Sequence, residues 1–209
     1  MVKGKLIVFE GIYGSGRLIV DLVNQVRQAL VKDGSDVYEI DSPDSGRAQL
    51  MGAAELDGTW RYGRFEPDFF FELAGRARVA AVSRDKLAEG KVVLCKSFTL
   101  SSIVYAALKG HDWFREDLNV LEARARGLAL GQELAPDLTV FVDVSAETAA
   151  QELGGKLGPQ FKPGDLVRQR ELYLAEVPKL PAGKVKSIAG SRSAEAIFPD
   201  VIAAVRALG

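Results

Sequence analysis

The feature that most constrains this chain is an apolar strand that runs into closely spaced glycines and then into a helical pattern. Residues 5–18 read KLIVFEGIYGSGRL. Leu6, Ile7, Val8 and Phe9 form the apolar run, and Gly11, Gly14 and Gly16 follow it. Gly11 and Gly16 have the spacing of the phosphate-binding loop G-x-x-x-x-G-K-[ST], which joins a strand to a helix. Such glycines let the backbone curl until its N–H groups point at one anion at the helix N-terminus. In that pattern the lysine pairs with the outer phosphates and the hydroxyl residue ligates magnesium. Here those two places hold Arg17 and Leu18. Arg17 keeps the charge on a larger, planar head. Leu18 cannot ligate a metal. The loop therefore keeps the form of a phosphate site (Gly11, Gly14, Ser15, Gly16, Arg17) and changes its chemistry.

Strand and helix patterns alternate along the rest of the chain. Short, apolar, β-branched runs predict strands at 5–10, 36–40, 91–95, 138–143 and 184–188, as buried parallel strands should read. Helical patterns fall near 17–33, 47–56, 67–89, 99–109, 117–134, 146–153, 165–177 and 193–208. Gly34, Gly90 and Gly183 stand where helices should stop before the next strand. The expected fold is α/β: a doubly wound, five-stranded parallel sheet flanked by helices. In such sheets ligands bind beyond the carboxyl ends of the strands. That rule points to 11–18, 41–47, 96–100 and the stretch after Asp143. The Gly- and Pro-dense segment GGKLGPQFKPG at 154–164 reads as a lid on that side or as a plain surface connection.

Composition narrows the function classes. A chain of 209 residues is expected to form one domain, 1–209. A formal net charge of −1 gives no sign of a nucleic-acid or membrane partner. No apolar run approaches a membrane span. The opening MVKGK leads into a strand without a signal peptide. Cys95 is the single cysteine, so no internal disulfide or cysteine metal cluster is expected, and a reducing, cytoplasmic setting fits. His111, the single histidine, reads as a satisfied or exposed loop residue.

Several segments in order resemble the thymidylate kinase family of P-loop nucleoside-monophosphate kinases. They are KGKLIVFEGIYGSGR at the start, DSPDSG at 41–46, FELAGRARV at 71–79, GKVVLCKSFTLSSIVYAALKG at 90–110, APDLTVFVDVSAET at 135–148 and VRQRELYL at 167–174. The resemblance implies a monophosphate site drawn from Pro43, Phe71, Arg76, Ser101 and Tyr105. It implies ATP and dTMP as substrates, with magnesium, if the kinase activity is kept. It also implies a two-fold dimer through the helix at 67–89, whose apolar residues (Phe69, Phe70, Phe71, Leu73, Val79 and Val82 among them) cover more than one face. Burial under the loop at 57–66 is the alternative.

The departures from that family fall where chemistry happens. Its acidic loop residue is Tyr13 here, and its lysine and hydroxyl are Arg17 and Leu18. The Asp-Arg-Tyr after the third strand is Lys96, Ser97 and Phe98. The thymine-stacking aromatic aligns with Glu72, beside Phe70 and Phe71. Between Ala150 and Asp165 there is no arginine, only Lys156 and Lys162. Lys96 either joins Arg17 at an anion site without magnesium or pairs with a nearby carboxylate. Tyr13 either partly fills the sugar site or faces solvent. Arg76 either meets a phosphate or pairs with Glu72, four residues earlier. Three readings follow. One is a catalytically impaired pseudoenzyme that binds nucleotide or phosphate and serves by binding, scaffolding or regulating, with an active kinase as one such partner. Another is an active dTMP kinase with a rearranged site. The last is a structural or regulatory dimer.

Overall fold

The computed structural model describes residues 4–40, 65–110, 134–155, 157, 161–162 and 164–209, with the backbone alone for 65–73. The segment 41–46 with Pro43, the helix expected at 47–56, that expected at 117–134 except for Leu134, which is not helical, His111, Lys156, and the side chains of Phe71 and Glu72 lie outside the described residues. The strands are β1 (Lys5–Glu10), β2 (Val37–Ile40), β3 (Val92–Lys96), β4 (Leu138–Asp143) and β5 (Val185–Ala189). They form one sheet in the order β2-β3-β1-β4-β5, and every pairing is parallel. The helices are α1 (Gly16–Lys32), α2 (Phe65–Ala88), α3 (Thr99–Leu108), α4 (Ala146–Glu152), α5 (Asp165–Glu176) and α6 (Ala194–Arg206). This is the doubly wound α/β sheet expected from the strand and helix patterns.

Alternation along β1 explains why the sheet needs cover on both faces. Ile7 and Phe9 point into a core with Ile19, Leu22, Val23 and Val26 of α1. Leu6 and Val8 point the other way, to Val79 and Ala80 of α2. The neighbours on the first face follow from helical spacing: α1 packs on α6, and α3 on α5. Gly34, Gly90 and Gly183 adopt φ values of 86°, 83° and 79°. These left-handed stops carry no Cβ penalty in glycine and return the chain toward the sheet. Two helices begin with side-chain caps: Ser145 Oγ accepts from the Thr148 amide at the start of α4, and Ser193 Oγ from the Ala196 amide at the start of α6.

Among the described residues, no helix is long and apolar enough to cross a membrane. Cys95 is a buried thiol. In α2, Val79 and Ala80 are buried against the sheet, while Ala74, Ala77, Arg78 and Ala81 are exposed.

Candidate functional site

The loop between β1 and α1 curls at the carboxyl end of the central strand. Two of its glycines are fixed by space. A Cβ on Gly11 would stand 2.5 Å from Ser15 Oγ, and one on Gly14 would stand 2.6 Å from the Ala149 carbonyl oxygen. Gly14 also has φ 94°. Gly16, by contrast, has nothing within 4 Å of its added Cβ, so its backbone borders open space. Ser15 is the residue before α1, yet its hydroxyl does not cap the helix. It donates to the Ile12 carbonyl at 2.6 Å instead. The first intrahelical bond runs from the Ile19 amide to the Ser15 carbonyl. The amides of Gly16, Arg17 and Leu18 thus precede the helical ladder, the donors a helix leaves for an outside partner.

Beside this loop lies an open cleft of about 320 Å³. Ser15, Arg17 and Leu18 line one wall, and Thr148 of α4, the 190–193 turn and the first residues of α6 line the other. Arg17 is exposed at its mouth, and Leu18 is half-buried against the core.

Lys96 does not stand free beside Arg17. Its ammonium lies 2.9 Å from Glu39 Oε1 on the neighbouring strand β2, and Arg27 of α1 approaches the same carboxylate at 3.9 Å. The carboxylate alternative for Lys96 is thus the arrangement present. Ser97 turns the chain with φ 64°, a left-handed conformation rare for serine. Its amide donates to the Phe9 carbonyl at 2.9 Å.

Tyr13 leans toward the lid-like segment. Its ring stacks on Phe161 with centroids 4.4 Å apart and 22° between planes. Its amide donates to Gln169 Oε1 of α5 at 2.8 Å. The Lys109 ammonium at the end of α3 lies 5.8 Å from the Phe161 ring centre and 5.4 Å from that of Tyr105. Tyr13 is therefore neither solvent-facing nor loose, and one aromatic and cationic chain joins it to Tyr105. Of the other expected monophosphate residues, Arg76 is buried to 2% exposure. Its guanidinium lies 5.2 Å from the Phe98 ring centre. Ser101 Oγ donates to the Phe98 carbonyl at 2.9 Å. Phe98 thus gathers Arg76 and Ser101, and Tyr105 follows one turn later on α3.

Two parts of the site escaped the sequence. Arg170 grips Asp143, at the end of β4, through bonds of 2.6 and 2.9 Å. That contact holds the guanidinium proton still more firmly. Glu10, the last residue of β1, is 1% exposed. Its Oε1 accepts from the Phe98 amide at 2.9 Å, and Tyr173 Oη lies 3.3 Å from Oε2. Burial pushes this carboxyl up to about 7, against the pull of hydrogen bonds from the Phe98, Ser101 and Leu100 amides and the Tyr173 hydroxyl. The available signal was one charge closing an apolar strand just before the first loop glycine.

A strand, a glycine loop with open amides and a helix, set on a 2-3-1-4-5-type parallel sheet with a cleft at its carboxyl edge, form a nucleotide-binding frame. No family model matches the chain. Two curated relatives match it almost end to end. The thymidylate kinase of Pelotomaculum thermopropionicum is 30% identical over 212 aligned positions, covering 97% of this chain and 93% of the relative. That of Ruegeria pomeroyi is 29% identical over 205, covering 95% and 92%. The chain belongs to the thymidylate kinase family. The family's magnesium is a poor fit to the residues present. Leu18 offers no oxygen, Lys96 brings a cation where a carboxylate would be needed, and Glu10 is committed to backbone amides. Among the described residues no group of three or more His, Cys, Asp or Glu side chains is placed to hold a metal ion.

Proposed function

We propose that this member of the thymidylate kinase family binds a nucleotide or other phosphate anion at the 11–18 loop without magnesium and is impaired in phosphoryl transfer. The observation that carries this reading is the loop itself: open amides at Gly16, Arg17 and Leu18 beside an apolar Leu18 and a Lys96 already matched by Glu39. Anion binding needs only oriented N–H groups and a cation. Transfer also needs charge neutralised on the moving phosphoryl group, where one arginine alone is worth roughly a thousandfold or more. The loop and the cleft supply the first requirement. The Tyr13–Phe161 stack stands where the family keeps an acidic residue, which supports restricted access to the sugar site.

The second reading, an active kinase converting dTMP with ATP, draws support from the near end-to-end match to relatives named thymidylate kinase. Arg76, Ser101 and Tyr105, with Pro43 and Phe71, would then serve the monophosphate. A homodimer through α2 fits its exposed Ala74, Ala77 and Ala81. A binding role in the cytoplasm, beside an active kinase partner, would follow from the first reading.

The deciding experiment is a coupled assay with ATP, magnesium and dTMP. We expect no turnover above a control in which residues 11–18 are replaced by a neutral linker. A rate in the usual kinase range of about 1–100 per second would overturn the proposal and establish the second reading.

A further inference from the structure

Glu10 is a buried acid that the phosphate-site reading leaves without a task. It closes β1, immediately before Gly11, the first residue of the glycine loop. The start of α3 has no side-chain cap of its own. Glu10 takes that place from another strand: Oε1 accepts from the Phe98 amide, while Oε2 faces the Tyr173 hydroxyl. This arrangement can hold the carboxyl in either protonation state. As a carboxylate, Oε2 accepts from the Tyr173 O–H. As an acid, Oε1 still accepts from the amides, Oε2–H donates to the phenol oxygen, and the hydroxyl rotates to match.

We propose that Glu10 and Tyr173 couple a proton to occupancy of the phosphate loop, so that an anion held by the loop amides is accompanied by a proton taken from solvent onto Glu10. The coupling rests on the anion-binding reading above. Its origin is Coulombic. A carboxylate adjoining the loop repels an anion on it, and protonation removes that repulsion. At an effective dielectric of about 20, a unit charge about 10 Å away changes a proton affinity roughly tenfold.

The charged and titratable groups on the neighbouring elements make contacts of their own. On β3 the Cys95 thiol donates to the Ser97 carbonyl, and Lys96 pairs with Glu39. From α2, Arg76 lies over the Phe98 ring. Asp143 of β4 and Arg170 of α5 satisfy each other. The groups acting on the carboxyl are the amides of Phe98, Ser101 and Leu100 and the Tyr173 hydroxyl. Burial already places its titration near 7, where a modest push changes its proton occupancy.

Sulfate is the probe of choice because it stays a dianion across the range examined, so any proton taken up belongs to the protein. Binding is followed by NMR at constant ionic strength from pH 5.5 to 8.5, with the Glu10 side-chain carboxyl labelled with carbon-13. In the wild type, saturating sulfate, which carries two charges, should raise the Glu10 midpoint by about two pH units, and sulfate should bind roughly twentyfold more tightly at the acid end of that range. Glu10→Gln, which mimics the protonated acid, should bind with the acid-end affinity at every pH. Tyr173→Phe removes a donor to the carboxylate, so the midpoint and the binding profile should both move to higher pH. A carboxyl midpoint unmoved by bound sulfate, or an unchanged pH profile in Glu10→Gln, overturns the coupling while leaving the anion site intact. Absence of sulfate binding at every pH overturns the anion reading and the coupling together.

Discussion

Two helices begin side by side at the carboxyl ends of neighbouring strands, and they treat their N-termini in opposite ways. At α1 the chain curls through glycines, the Ser15 hydroxyl turns back to Ile12, and the first amides face a cleft. At α3 the chain bends through Ser97, and the first amides are filled from within by Glu10. A helix N-terminus draws negative charge in either setting. The difference lies in where that charge comes from. At α3 the protein's own chain supplies it, through Glu10. At α1 no side chain caps the helix and no acidic residue stands in its first turn. One carboxylate serves the closed terminus and immediately precedes the first glycine of the open one.

The largest effect should appear in stability against pH. The folded protein holds the Glu10 proton to about 7, whereas the ordinary value is 4.5. The folded state therefore binds more protons between those values. Glu10's favourable contribution is complete below about 4.5 and is lost as pH rises through about 7. Urea unfolding at pH 5 and pH 8 should show wild type losing roughly 3 kcal/mol relative to Glu10→Gln. Parallel stability curves for the two proteins would break the contrast between a filled terminus and an open one.

Next in size is the loop that keeps α1 open. Gly14→Ala places a methyl 2.6 Å from the Ala149 carbonyl at φ 94°, and should cost about 2 kcal/mol in the same assay. Gly16→Ala enters open space and should stay within about 0.5 kcal/mol. Equal costs would mean that the loop is not packed as described. At the closed terminus, Ser97→Gly should relieve the left-handed strain and stabilise by at most about 1 kcal/mol, partly offset by the freer unfolded chain. The smallest stability effect belongs to Arg17→Ala: melting should be unchanged within about 0.5 kcal/mol, while sulfate or phosphate binding weakens. A substantial loss of stability would show that Arg17 serves the fold rather than the anion.

The strands and their order of appearance were legible because buried parallel strands must be short apolar runs and because the stops at Gly34, Gly90 and Gly183 need positive φ. The glycine loop was legible for the same reason: its conformations and close approaches admit little else. What the sequence hid is what depends on distance along the chain. Glu39 and Lys96 are 57 residues apart and meet because β2 and β3 pair with Glu39 opposite Leu94, one side-chain repeat from Lys96. Tyr13 offered bulk as its only clue, and its partners Phe161 and Gln169 come from the other end of the sequence. Glu10 was read as the end of a strand because no local pattern marks a carboxylate that caps a helix 88 residues away.

The helix α5 gives those distant contacts a temporal meaning. Within two turns it sends Gln169 to the Tyr13 amide, Arg170 to Asp143 and Tyr173 to Glu10. The first and last of these bonds span 156 and 163 residues. Contacts that close such long loops are entropically the costliest to form. During synthesis the N-terminal glycine loop emerges early, but its bracing waits until most of the chain has been made. The ligand pocket is thus a late product of folding, and a chain cut short before α5 would carry the motif without the means to hold it in shape.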